Sequence, residues 1–312
     1  MKKNISNIIY ILVLIIITIE VLIKSNLVIN SVKFSFNMWI NNIFPSLFPF
    51  FIIGNILIEL NFPQILGELL KKIICKLFKI NSNASFILIL SMLSGFPSSA
   101  KYTKDLLDKN IIDEKDATKI LTFTHFSNPL FILGTVSTFL HNKKLAILVL
   151  ISHYLGNFII GIILRNYNKK EIKNTKINLN NIKLKKVNIG NIISNSIKST
   201  INTLLLILGS TTVFLIITTI INSIIPLNGI LKPIINGIFE MTQGLKYLEN
   251  LNINSNIKAL ISTGILSFGG LSVHMQIITI ISETKIKYLP YFISRILHAF
   301  ISIVILYLLI IL

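Results

Sequence analysis

Residues 91–103 read SMLSGFPSSAKYT, a run of small and polar side chains with Gly95 and Pro97 at its centre and Ile- and Leu-rich sequence on the N-terminal side. Its reading depends on what surrounds it. In lipid, a Gly-Phe-Pro break strands backbone N–H and C=O groups that hydrocarbon cannot satisfy, so that backbone must face protein, water or a bound solute. Gly95 permits a turn and a close approach, Pro97 has no N–H to leave unpaired, and Ser98 and Ser99 stand where they would cap a new helix. Such a helix start favours an anionic or polar group. The plainer alternative is that Ser94, Gly95, Ser98 and Ser99 let two helices pack closely.

Composition places this stretch in a membrane protein. The chain has 312 residues, 53% apolar and 13% charged, with a mean hydropathy of +0.75, whereas a soluble domain carries about 25% charged residues. An all-α polytopic membrane protein is the expectation. The formal charge is +18, but the Lys and Arg residues fall between apolar runs rather than along one basic face with interleaved aromatics. That pattern argues against a nucleic-acid partner and for loops facing the anionic lipids of an inner leaflet. The single cysteine, Cys75, allows neither an intrachain disulfide nor a thiolate cluster. The first apolar run follows Lys2 and Lys3 as a signal peptide would, but it lacks a small-x-small cleavage site and runs into Glu20 and Lys24, so a retained first span is expected.

Along the chain, spans are expected at 8–23, at 38–60 with Pro45 and Pro49 inside it, at 120–140 and at 145–164. Residues 62–79 alternate apolar and basic positions and read as an amphipathic helix at the interface. The Asn- and Lys-rich stretch 165–198 reads as a basic cytoplasmic linker between an N-terminal half, 1–164, and a C-terminal half, 199–312. In the second half, spans are expected at 201–224, at 230–248, at 257–281 and at 288–312.

The break at 91–103 has a counterpart. LSMLSGFPSSAKYTKDLL (90–107) and STGILSFGGLSVHMQIIT (262–279) can be laid together so that Ser94 falls with Ser267, Pro97 with Gly270, Ser99 with Ser272 and Lys101 with His274. Interrupted helices in corresponding positions of two halves point to a transport site near the bilayer midplane. Placing the N-terminus, the Lys71–Lys79 surface and the linker on one side makes the two broken segments re-entrant from opposite faces, an inverted relation. A third polar notch is FTHFSNPLFILGT (123–135), where Asn128 is costly in hydrocarbon unless paired, Pro129 frees a carbonyl, and His125 lies one turn earlier.

His153 and His298 stand alone in apolar segments, and no HxxxH spacing occurs, so no metal site is expected. Glu240, an acid in a moderately apolar segment, reads either as functional or as interfacial. The sequence has no Walker loop, no GxGxxG and no supported Ser/His/Asp arrangement. Neither a cofactor nor an enzymatic activity is expected; an enzyme acting on lipid-linked precursors would have only His125, His274 and Glu240 to draw on.

FPSLFPFFI (44–52), SGFPSSAKY (94–102), FTHFSNPLFILGTV (123–136) and LSFGGLSVHMQ (266–276) followed by ISETKI (281–286) resemble the signature stretches of the YlbJ family of sporulation integral membrane proteins. The resemblance runs from about residue 35 to about residue 300. This family is similar in turn to a wider group with Gate, or nucleoside-recognition, domains. The resemblance implies two Gate-like repeats, a multi-pass place in the bacterial cell membrane or a spore-associated membrane during sporulation, and a role in forming the spore cortex. It also carries over Gly95, Pro97 and Ser99 for the first break, Ser127, Asn128 and Pro129 for the notch, and Gly269, Gly270, Ser272 and Gln276 for the second. A more typical member has Gly after the proline of the first break, where this chain has Ser98. With Ser94, Ser98, His125 and His274, these are the candidate solute-binding residues. The leading expectation is a permease not driven by ATP for a small polar or anionic solute. A non-transporting scaffold is the alternative. Cortex assembly proteins and a second copy of the chain, in a homo-oligomer, complete the expected partners.

Overall fold

Two prolines shape the first long element of the computed structural model, which describes residues 2–167 and 188–312. After α1 (Lys2–Ile23), α2 (Ser25–Met38) passes through a π-turn at Trp39–Ile43 into α3 (Phe44–Glu59), giving one continuous 35-residue helix. Pro45 and Pro49 lack the N–H groups that would continue the ladder, and the wider π-turn just upstream absorbs the mismatch. The helix is longer than the expected span 38–60, because 25–37 continue it. The apolar part of α1, by contrast, is only Asn7–Ile23.

Next, α4 (Phe62–Phe78) is amphipathic and lies at 97° to the following helical stretch, Ser82–Ser94, which contains α5 (Ser85–Ser94). The first break separates α5 from α6 (Ser98–Asp108), and α7 (Glu114–Leu121) follows. The expected span 120–140 is not one helix. Residues 124–128 are non-helical and buried, and helix resumes only at Pro129, through a second π-turn at Phe131–Val136 into α8 (Ser137–Leu140). Asn128-Pro129 imposes this, since the residue before a proline is driven out of the helical region.

The helix α9 (Lys143–Ile163) spans as expected. Of the proposed linker, 168–187 lie outside the described residues. Its C-terminal part is not linker, because α10 (Ile189–Ile224) starts there and runs for 36 residues with Asn188 as its N-cap. The expected span 230–248 is instead a helical hairpin, α11 (Leu231–Phe239) and α12 (Met241–Glu249), with Glu240 at its tip. Each arm has nine residues, about 13 Å, against a hydrocarbon thickness of about 30 Å. Small residues let the arms touch: a Cβ on Gly244 would lie 2.6 Å from the Gly237 nitrogen and 2.7 Å from the Pro233 carbonyl oxygen. Finally, α13 (Ser255–Phe268) and α14 (Gly270–Ile281) run on as one 27-residue apolar stretch interrupted at Gly269, and α15 (Tyr288–Ile311) closes the chain.

Five helical stretches are long and apolar enough to cross a membrane, six if the bent α4–α5 pair counts as one, and no strand occurs among the described residues. Large apolar side chains such as Leu22, Ile163, Phe300 and Leu308 face outward, the surface of a protein whose solvent is lipid. The protein is a multi-pass, all-helical membrane protein. Its centre is polar: α9, α13 and α15 pack together around buried His153, Arg295 and His298.

Candidate functional site

The first break is closed mainly by its own serines. Gly95 has φ +82°, a backbone region open essentially to glycine, and a Cβ there would stand 2.5 Å from the Asn128 backbone nitrogen. The Ser98 hydroxyl donates to the Gly95 carbonyl, and the Ser94 hydroxyl reaches both the Leu90 carbonyl and Ser98. Ser98 and Ser99 do not cap α6 as expected. Pro97 occupies the N-cap without a side-chain bond, and the N–H groups of Ser98, Ala100 and Lys101 are already donated to the Gly95 and Pro97 carbonyls. The start of α6 therefore has little left for an anion. Lys101 points elsewhere, to Asn55 and to Asp105 at 2.7 Å.

The notch residues serve the same closure. Asn128 donates from Nδ2 to the Ser94 carbonyl at 3.1 Å and accepts the Leu130 N–H on Oδ1 at 2.7 Å, tying the first break to the helix that begins at Pro129. A non-helical segment buried in a membrane protein needs partners for every backbone group, and one face of α9 supplies several. His153 Nε2 accepts the Ser127 N–H at 2.9 Å and Asn157 donates to the His125 carbonyl at 2.7 Å, while the Tyr154 hydroxyl sits between the Met92 carbonyl, its nearer acceptor, and the Ser127 carbonyl. Accepting on Nε2 fixes the His153 proton on Nδ1, which donates to Ser267 Oγ.

Behind this face, Arg295 is fully buried. It donates to the Thr122 carbonyl, to Asn157 Oδ1 and to His298 Nδ1, and His298 Nε2–H donates to the His153 carbonyl. All of its partners are neutral. The sequence reading passed over this cluster; its signal was the pairing of polar residues one helical turn apart, His153 with Asn157 and Arg295 with His298, inside apolar spans.

His125 and His274 brace the breaks. The His125 ring stacks on Phe96 with centroids 4.5 Å apart, its Nδ1 pairs with the Tyr291 hydroxyl at 2.8 Å, and its Nε2, without a partner, lies where a Cβ on Gly269 would be. His274 accepts the Tyr288 hydroxyl on Nδ1 and donates from Nε2 to the Phe268 carbonyl at the second break. Gly269 and Gly270 both have positive φ. A Cβ on Gly270 would meet Met241 N, Gly237 O and Phe239 O at 3.1–3.4 Å, so the second break rests against the tip of the α11–α12 hairpin.

All these pieces meet at one small, partly open cavity of about 60 Å³, room for a few waters or a small ion and well below the roughly 300 Å³ of a small-molecule pocket. Phe96 represents the first break, Ser127 and Asn128 the notch, Val273 and Gln276 the second, and Glu240, Met241 and Thr242 the hairpin tip. Both π-turn regions reach it, through Asn42 with Ile43 and through Phe131, and α10 adds Thr211. Of the fourteen residues proposed from sequence, Ser127, Asn128 and Gln276 line the cavity. Ser94, Gly95, Pro97, Ser98, Ser99, Pro129, Gly269 and Gly270 shape its walls from behind, with His125 and His274 as braces, and Ser272 faces the Glu240 carboxyl. Glu240 itself, 2% exposed, accepts the Thr242 hydroxyl and the Gln243 N–H on Oε2. It is the one charged side chain lining the cavity among the described residues.

Comparison with known proteins gives a relative that aligns with most of this chain. The chain is 33% identical to the sporulation integral membrane protein YlbJ of Bacillus subtilis (strain 168), in an alignment covering 85% of this chain and 73% of the relative. No family model and no solved structure matches.

Proposed function

The chain belongs to the YlbJ family of sporulation integral membrane proteins, and from that premise we propose that it is a permease, not driven by ATP, that moves a small polar or anionic solute needed for forming the spore cortex. The observation that carries this reading is convergence: two interrupted helices, a non-helical segment, two π-turns and a hairpin tip meet at one cleft, in which a mainly apolar wall carries a few amides, hydroxyls and one carboxylate. Packing alone does not require such an arrangement, because each break costs backbone hydrogen bonds that an intact helix would keep. Interrupted helices around a buried polar site are how secondary transporters hold a solute and expose it alternately.

In this reading the two halves are inversely related repeats about the breaks, and the cavity is a closed state. A solute larger than a few atoms enters when the α11–α12 hairpin moves away from Gly270, the tightest point of its tip contact. The protein makes and breaks no covalent bond. The basic positions Lys71, Lys72 and Lys76 of α4 lie against the anionic lipids of the inner leaflet.

The test uses Gln276, which lines the cavity while making no hydrogen bond that supports the fold. A strain lacking the gene is complemented with the intact gene or with Gln276→Ala, and membrane levels and heat-resistant spore yield are measured. The variant is expected at normal level with a lowered yield, by about tenfold if one polar contact worth about 1.4 kcal/mol is lost. Full rescue by this variant and by Thr211→Val would overturn the permease reading in favour of a scaffold.

A further inference from the structure

Glu240 presents a charge problem. Its carboxyl is buried at the tip of a hairpin in a membrane protein, and among the described residues no cationic side chain lines the cavity it faces. A carboxyl in such a place is carried either protonated or with a cation that is not part of the chain. The surroundings favour the second. The Thr242 hydroxyl and the capping Gln243 N–H both bond Oε2 of the carboxyl, and the Ser272 hydroxyl faces the same carboxyl.

Neutral oxygen groups gather at the same point. The break after Phe239 deprives the last carbonyls of α11 of the next turn's N–H groups, and those of Gly237 and Phe239 lie at Gly270, two residues from Ser272. The Ser272 hydroxyl is fully buried and has no partner at hydrogen-bond distance beyond the Glu240 carboxyl that it faces. Thr242 Oγ1 lines the cavity with lone pairs still available after its proton has gone to Glu240. A proton needs one acceptor, whereas here a carboxylate, two hydroxyls and a helix C-terminus are assembled.

We propose that the hairpin tip binds a monovalent metal cation of the sodium class, with the Glu240 carboxylate as its charged ligand and Thr242, Ser272 and the α11 carbonyl end as neutral oxygen ligands. A single carboxylate with neutral oxygens matches a monovalent ion better than Ca²⁺, which takes six to eight oxygens and commonly several carboxylates, or Mg²⁺, which keeps its waters. A cavity of about 60 Å³ suits a small ion with few waters. The cation would also offset the negative charge that an anionic solute meets beside Glu240. Its role as a coupling ion rests on the permease reading, but its binding does not.

The experiment is thermal unfolding of the purified full-length protein in detergent, titrated with NaCl at constant ionic strength against choline chloride, at several pH values. The unfolding temperature is expected to rise saturably with sodium, as it does for any ligand that binds only the folded state. Glu240→Gln, which keeps an acceptor for the Gln243 N–H, should fold and lose the sodium response. Thr242→Ala should weaken the sodium midpoint about tenfold, the loss of one ligand worth about 1.4 kcal/mol. Sodium stabilisation that persists unchanged in Glu240→Gln, or no sodium response at all, overturns the proposal. Stabilisation that follows pH alone assigns the site to a proton and also overturns it. The Gln276→Ala spore assay is independent of sodium, so failure there with an intact sodium response counts against the permease reading alone.

Discussion

The two breaks look alike in sequence and are closed in different ways. At Gly95–Pro97 the stranded backbone is paired by side chains close at hand: Ser98 on the Gly95 carbonyl, Asn128 on the Ser94 carbonyl, Ser94 bridging back to Leu90. At Gly269–Gly270 the closure comes from distant elements. His125 fills the space beside Gly269, His274 takes the Phe268 carbonyl, and the tip of the α11–α12 hairpin rests on Gly270. The first is a fixed corner. The second is a contact between separate elements, beside a buried hydroxyl, Ser272, whose one polar neighbour is the Glu240 carboxyl that it faces. Spare polar capacity in a membrane protein is costly, so it is informative where it remains.

This contrast can be broken by substitution, and the largest effect is expected at the corner. Gly95→Ala puts a Cβ against the Asn128 backbone in a glycine-only region, a cost on the order of 3 kcal/mol or more. Because the obstacle is main chain, no trimmed neighbour should rescue it, and membrane abundance should collapse. Asn128→Ala removes two hydrogen bonds and leaves the Ser94 carbonyl unpaired, costing about 2 kcal/mol in unfolding measurements in detergent.

Gly269→Ala should cost about 2 kcal/mol from the left-handed backbone and the overlap with the His125 ring. Here the obstacle is a side chain, so combining it with His125→Ala should cost less than the sum of the two; strict additivity in that double-mutant cycle would erase the difference drawn between the breaks. Ser98→Ala, which deletes the hydroxyl bond to the Gly95 carbonyl, is the mildest, at about 1 kcal/mol. A loss as large as that of Gly95→Ala would mean that the serine, not the glycine, holds the corner.

The polar cluster of α9 and α15 shows where sequence reading ran short. His153 and His298 look like isolated histidines when each span is read alone. In the structure His153 holds the Ser127 N–H, and Arg295 reaches the Thr122 carbonyl from the far end of the chain. These pairings join residues 26 and 173 positions apart, and helical periodicity carries no information on which helix will face which. In sequence Asn128 reads as costly in hydrocarbon unless paired; in the structure its amide is engaged in holding the first break to the helix after it, a role that only the neighbouring carbonyl's position reveals.

Hydropathy by itself determined that this chain is a multi-pass helical membrane protein, because runs of about 20 apolar residues have few other stable uses. Glycine and proline chemistry likewise determined that helices are interrupted near residues 95 and 269, since those residues cannot continue a helix without cost. Tertiary structure alone decided that 230–248 folds back as a hairpin, that 124–128 is non-helical, and that both meet at one cavity with Glu240 on its wall. The reason is physical: a break fixes which backbone groups lose their partners, whereas the groups that replace them belong to whichever helices pack alongside.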